Sequence, residues 1–257
     1  MGACLRGIPS PMHTNVTRGI RGFTLIELLT VIAIIGVLAA IVIPTVGKVR
    51  ETAQRTVDAN NLREIGKAAM LYAADNDDRL PDPLATASQQ NVQATTNCFR
   101  WIGLLGRAGT LNDAAFYFSK NDPLFAGSAP ATVMDPDDDT RQQVSAAFEA
   151  LTPSFEFVGG LKMSDPATTP IAFTRGLNAT GAWDATQGVY KGEGGHIVFL
   201  GGNVQYYKSL DNRLVNTAGK PTNDIRETIP SPTGGNQRIY GKGSVIASEA
   251  GVAPVVP

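Results

Sequence analysis

Residues 21–50, RGFTLIELLTVIAIIGVLAAIVIPTVGKVR, constrain this chain more than any other stretch. From residue 28 to residue 46 there are nineteen positions without charge, and only Thr30 and Thr45 carry a hydroxyl. As a helix that run crosses a hydrocarbon core of about 30 Å. A helix in a soluble core rarely stays apolar on every face for so long, so the run predicts a membrane span. Glu27 sits just inside its start. A lone carboxylate there costs about 2.5–3.5 kcal/mol on insertion scales, which asks for a partner.

Beyond Gly47 the pattern changes. Val49, Ala53, Val57, Leu62, Ile65, Ala69 and Tyr72 recur among charged residues at the three-and-four spacing of an amphipathic helix. The helix therefore continues out of the membrane, from Thr24 to Ala74, about 50 residues and roughly 75 Å. Its apolar stripe has to be covered by the downstream domain. Pro44 removes one hydrogen bond near the end of the apolar run and is expected to bend or loosen the helix there. Asp75, Asp77 and Asp78, ahead of Leu80 and Pro81, read as a helix ending in water rather than as a cation site.

Charge sets the orientation. Arg6, Arg18 and Arg21 precede the apolar run with no acid among them, which keeps residues 1–22 cytoplasmic and sends the rest out. The net charge is −1, and no basic patch with interleaved aromatics appears, so no nucleic-acid partner is expected. Of the two cysteines, Cys4 lies in the leader and Cys98 stands alone beyond it. One thiol makes no internal bridge; Cys98 is read as a buried small apolar residue, with an intermolecular disulfide as the alternative.

The run Arg21, Gly22, Phe23, Thr24, Leu25, Ile26, Glu27, Leu28, Leu29 resembles the prepilin-type cleavage and methylation motif of type IV pilins and type II secretion pseudopilins. The resemblance implies that prepilin peptidase cuts after Gly22 and methylates the new amino terminus of Phe23. It implies that Glu27 pairs with the free amine of a neighbouring subunit during fibre assembly. That amine exists only after cleavage, so cutting would turn an unpaired acid into half of an ion pair, which is costly to break once desolvated. The resemblance also marks Gly36 and Pro44 as a segment able to lose helicity in the fibre; a plain proline kink is the alternative. Residues 61–81 again resemble the helix end of pseudopilin-like proteins. The leader offers a second start at Met12, which gives a shorter basic leader. It is not a conventional secretory signal, because its apolar stretch follows the cleavage point.

Downstream, residues 81–97 read as a surface loop, 99–105 as a short apolar turn or helix around Trp101 closed by Gly106 and Gly109, and 114–118 as a strand or buried segment. Asp135, Asp137 and Asp139 imitate the first places of a calcium loop, but Thr140 stands where such a loop wants glycine and Ala146 where it wants the closing Glu. The same residues read as a helix start, with Thr140 as cap, Gln143 three residues on, and Val144, Ala147, Phe148 and Leu151 as the buried face. Residues 194–207 give the clearest β signal, two strand-like runs across Gly201 and Gly202. They resemble the C-terminal hairpin of prepilin-type proteins with a processing-associated segment, except that Gly-Gly replaces the usual Asp-Gly. With residues 171–174 they predict an antiparallel sheet packed on the long helix. His196 is the lone histidine past the cleavage point, and no nucleophile motif accompanies it, so it is read as a turn or strand-end residue. Asn178, Ala179 and Thr180 match a glycosylation triplet.

The expected architecture is α+β and pilin-like: a leader (1–22), a membrane-spanning half-helix (23–46), an amphipathic half (47–78), a globular domain (79–215) and a Gly/Pro-rich, partly disordered tail (216–257) with one short strand near 238–240. The expected role is a non-enzymatic filament subunit without cofactor. A type II secretion pseudopilin leads, ahead of a surface pilin for adhesion, motility or DNA uptake and of an anchored envelope enzyme or binding protein. Its expected partners are prepilin peptidase, other pilin-like subunits, the inner membrane and its assembly platform. The C-terminal domain is expected in the periplasm.

Overall fold

The structure, a computed structural model, describes residues 22–85, 92–230 and 238–246. The leader with Cys4, Met12 and its arginines, the middle of the 81–97 loop and parts of the expected tail lie outside the described residues. Two compact units divide at residue 48, Met1–Lys48 and Val49–Pro257. The helix α1, Leu25–Ala74, runs for 50 residues through both.

In the first unit, α1 starts on a reciprocal cap. Thr24 Oγ1 accepts from the Glu27 backbone N–H at 3.2 Å, and the Glu27 carboxylate accepts from the Thr24 N–H at 2.9 Å. This is the S/T-x-x-E box, written here as Thr24, Leu25, Ile26, Glu27. From Leu25 to Val46 the large apolar side chains are exposed on every face of the helix, as a surface meant for lipid or other helices requires. Helical backbone continues through Gly36, Pro44 and Gly47. Next to Pro44, Thr45 Oγ1 donates to the Val42 carbonyl at 2.8 Å, within the turn that the proline deprives of a donor.

In the second unit, the buried face of α1 runs through Asp58, Leu62, Ile65, Ala69, Tyr72 and Ala73. This corrects the phase of the expected stripe: Leu62, Ile65, Ala69 and Tyr72 are buried as read, but Val49, Ala53 and Val57 are exposed. After Ala74 the helix unwinds in water through exposed Asp75, Asp77 and Asp78, the last two at φ +54 and +57. The 81–97 segment begins less exposed than expected, with Pro81, Asp82 and Pro83 buried. Helix α2, Asn97–Ala108, buries Cys98, Phe99, Trp101, Ile102, Leu104 and Leu105, and Gly109 ends it at φ +76. Ala114–Tyr117 is a 3-10 turn, not a strand, though Ala114, Tyr117 and Phe118 are buried.

Five antiparallel strands form the sheet: β1 (Phe155–Gly159), β2 (Pro170–Thr174), β3 (Gly195–Phe199), β4 (Val204–Tyr207) and, after two short strands, β7 (Arg238–Tyr240). Their order across the sheet is β4-β3-β2-β1-β7, while β5 (Leu214–Val215) and β6 (Pro221–Thr222) pair separately. The predicted hairpin is β3 and β4, with His196 opposite Tyr206 and Val198 opposite Val204; Gly202 takes φ +81 in its turn. Register puts Phe157, Ala172 and Val198 on one face. That face meets α1 and α2: a Cβ on Gly66 would lie 2.9 Å from Val198, and the Trp101 ring stacks on Phe157 at 4.5 Å. The other face is covered by the loop carrying Trp183, whose ring leaves no room for a Cβ on Gly195. Covered on both sides, β1, β2 and β3 are buried throughout.

Two expectations change here. The described parts of the segment after residue 215, residues 216–230 and 238–246, join the fold, since Ile225, Ile229, Ile239 and Tyr240 are buried and β7 pairs with β1. The helix expected from Thr140 shrinks to one turn, α3 (Ala146–Glu149), which Ser145 precedes without a side-chain capping bond. Thr140 instead donates through N–H and Oγ1 to Asp138, whose carboxylate also accepts from the N–H groups of Gln142 and Gln143. Asp138 is thereby lowered to about 2, first by the Thr140 hydroxyl and then by the backbone donors. Val144 and Phe148 are buried as read; Ala147 is exposed.

Candidate functional site

The processing segment is built by the start of α1. Gly22 and Phe23 precede the first helical residue and are exposed, Phe23 at 77%. A peptidase needs an extended, reachable bond, and the bond between Gly22 and Phe23 is outside the helix. Four residues on, Glu27 Oε2 accepts from both Thr24 N–H and Thr24 Oγ1, each at 2.9 Å; these are hydrogen bonds from neutral groups, a different contact from the expected ion pair with a neighbour's amine. Sequence reasoning missed that bond, although the T-x-x-E spacing carries its signal. A methyl group added at Gly36 would meet nothing within 4 Å, so that side of the helix is open for a neighbour.

A second polar assembly lies where α1 meets the sheet. Asp58, wholly buried, accepts from Gln54 Nε2 at 3.0 Å, from Ser119 Oγ at 2.6 Å and from Tyr190 Oη at 2.8 Å. Ser119 N–H donates to Ser154 Oγ, and Ser154 Oγ donates to Asp122, which forms a fully buried ion pair with Arg175 at 2.6 Å. Tyr190 Oη also lies 3.1 Å from His196 Nδ1. Arg55 packs over the rings of Tyr190 and Tyr206 and pairs with Glu51 and Glu193. Burial pushes the Asp58 carboxyl above its usual value, against the hydrogen bonds from Ser119, Gln54 and Tyr190. Burial, reinforced by the Arg55 charge, lowers His196 to about 4. Read as a strand-end residue, His196 is in fact inside β3 and nearly buried. Asp58 gave no signal of its own, being one acid in a charged helix.

The other singled-out residues stay apart. Among the described residues no three His, Cys, Asp or Glu side chains converge as a metal site would need, and Asp135 accepts from the Asp137 N–H. Cys98 is fully buried in α2. Asn178 Oδ1 closes a turn by accepting from Thr180 Oγ1 at 2.7 Å.

Comparison with known families matches residues 17–43 to the prokaryotic N-terminal methylation motif. The chain carries the prepilin-type motif. Its N-terminal part is similar to the type IV wide pilus major component PilA4 of Thermus thermophilus, 48% identical over 59 residues, which is 23% of this chain and 45% of that one. It is also similar to the type II secretion system core protein G of Pseudomonas aeruginosa, 42% identical over 55 residues, 21% of this chain and 39% of that one. The matched region thus spans less than half the length of either relative. No solved structure matches. The N-terminal part of the chain is thus similar to the corresponding part of a type IV pilin and of a type II secretion core protein, and a long helix followed by an antiparallel sheet makes the fold α+β.

Proposed function

We propose that this protein is a non-enzymatic subunit of a type IV pilus-like filament, within it a type II secretion pseudopilin serving protein export. The observation that carries the reading is the exposed, non-helical bond between Gly22 and Phe23, set directly before a capped helix whose apolar faces are all uncovered. In this reading the precursor sits in the inner membrane with its leader in the cytoplasm and its domain in the periplasm. Prepilin peptidase cuts after Gly22 and methylates the Phe23 amine. The assembly platform then draws the subunit into a filament with other pilin-like subunits, burying the apolar half of α1 among theirs.

Glu27 acts in two stages. In the precursor its Oε2 holds Thr24 and keeps the helix start intact. After cleavage the ammonium of a neighbour's Phe23 takes Oε1, so the cap need not be broken for the ion pair to form. An ion pair in that apolar setting fixes the axial register of one helix on the next. Gly36 and Pro44 supply the local softness such packing uses. A surface pilin is the second reading, favoured by the likeness to a wide-pilus component. The lack of a second cysteine beside Cys98 for a C-terminal loop argues for the pseudopilin.

The deciding experiment is the intact mass of the protein from membranes with and without prepilin peptidase. A peptidase-dependent mass for a chain starting at Phe23 with one added methyl supports the reading, and an uncut leader in both strains removes it. In the same cells, Glu27→Ala is expected to leave cleavage and insertion intact and abolish filament incorporation. Normal incorporation would sink the pairing role.

A further inference from the structure

The hydrogen-bond directions around Tyr190 are not free. Tyr190 Oη has one proton, and Asp58 Oδ2 at 2.8 Å takes it when the carboxylate is charged. His196 Nδ1, 3.1 Å from the same oxygen, must then be the donor, which fixes the neutral ring as its Nδ1–H tautomer and leaves Nε2 bare. His196 lines an open groove with Thr52, Arg55, Thr56 and Ala59 of α1 and Tyr206 of β4. Since Nδ1 is turned to Tyr190, the groove takes the Nε2 edge.

We propose that Asp58, Tyr190 and His196 form a proton relay that lets the buried Asp58 titrate through this groove and, in doing so, converts the groove edge of His196 from hydrogen-bond acceptor to donor. A hydronium ion in the groove gives a proton to Nε2, its O–H bond breaking as it leaves as water. The Nδ1–H bond breaks as its proton passes to Tyr190 Oη, and the original Tyr190 proton passes to Asp58 Oδ2. The imidazole ends neutral with its proton on Nε2, and the carboxyl ends neutral. Both hydrogen bonds survive with reversed direction, Asp58 to Tyr190 and Tyr190 to Nδ1.

The surroundings favour this route over an imidazolium. From α1 the Arg55 guanidinium, with Glu51 beside it, faces the ring; from the loop before β3 come Tyr190 and Glu193; from β4 comes Tyr206. The Arg55 charge and burial both oppose a cation on His196, whose imidazole is lowered to about 4. Burial and the nearby Asp122 charge both favour a neutral Asp58. One proton entering the seam is thus held on the acid while the groove changes polarity. A partner group that donates to the groove near neutral pH meets a donor in acid.

The test is nitrogen NMR of the full chain in detergent, labelled on histidine, with the His13 signal assigned by His13→Gln. Near neutral pH the His196 ring should show a protonated Nδ1 and a bare Nε2. As pH falls below neutral the two nitrogen shifts should exchange before any imidazolium signal appears. A protonated Nε2 near neutral pH, or direct passage to imidazolium, overturns the relay. Tyr190→Phe should abolish the exchange, and its persistence in that variant also overturns it. Should Tyr190→Phe not fold, Asp58→Asn supplies the same comparison, since without a titrating acid the tautomer should no longer change with pH.

Discussion

Residues 25–46 of α1 leave Leu, Ile and Val uncovered on every side, whereas from Asp58 to Ala73 the same helix hides one face against a sheet. The first half has no tertiary partner among the described residues, so lipid or other helices must supply its surroundings. The second half is specified from within, by apolar packing from Leu62 onward and by the polar seam at Asp58 one turn before it. Substitutions in the two halves should therefore report on different things. Those in the first should act on assembly, and those in the second on folding of the domain.

The largest effect is expected where the seam is deepest. Arg175 and Asp122 have wholly inaccessible side chains, and removing one leaves a bare charge in the core. Arg175→Ala should cost about 3–5 kcal/mol of domain stability, read as a loss of midpoint in denaturant melts of the full chain. Replacing Glu27, in the first half, should leave that midpoint where it is. Equal midpoints for wild type and Arg175→Ala would show that the seam does not specify the domain.

Next come the glycines. A side chain at Gly66 runs into Val198 of β3, so Gly66→Val should cost about 1–3 kcal/mol by the same melt. At Gly36 nothing stands within 4 Å, and Gly36→Val should not move the midpoint while still disturbing filament incorporation. Two glycines on one helix thus separate folding from assembly. An unchanged melt for Gly66→Val would contradict the close approach of α1 to the sheet.

These differences also explain what the sequence disclosed. The apolar run, the motif at Gly22 and the β3–β4 hairpin were legible because each is local, a length, a pattern or a turn. The phase of the amphipathic stripe was not. Val49, Ala53 and Val57 are exposed, while the domain is met on the Arg55 and Asp58 side by polar groups that look solvated in a sequence. Strand β1 was missed because Glu156 interrupts its apolar residues, and its partner β7 comes some eighty residues later. Asp82 holds that distant strand through Arg238 and Tyr240, a link between residues whose partnership only the fold reveals.

A smaller effect is expected at the helix start. Thr24→Ala removes the hydroxyl that caps Glu27 N–H, at about 1 kcal/mol. Hydrogen exchange at Glu27 and its neighbours should quicken, and the domain melt should not change. Slow exchange in the variant would mean that the cap adds nothing to the first half.

The smallest effect is a slope. His196 is lowered to about 4 from 6.5, so between those values the unfolded chain binds more protons; its contribution is full above pH 6.5 and is lost as pH falls toward 4. Asp58 is raised from 3.8, so above that value the folded chain binds more protons, and its contribution is present in acid and lost as pH rises through its folded value. The two have opposite signs, so in the wild type the acid offsets part of the slope that the histidine produces. Asp58→Asn removes the opposing acid and leaves His196, so melts of that variant should fall more steeply with acid than wild type. A parallel or shallower fall would mean that the acid does not oppose the histidine in the folded domain.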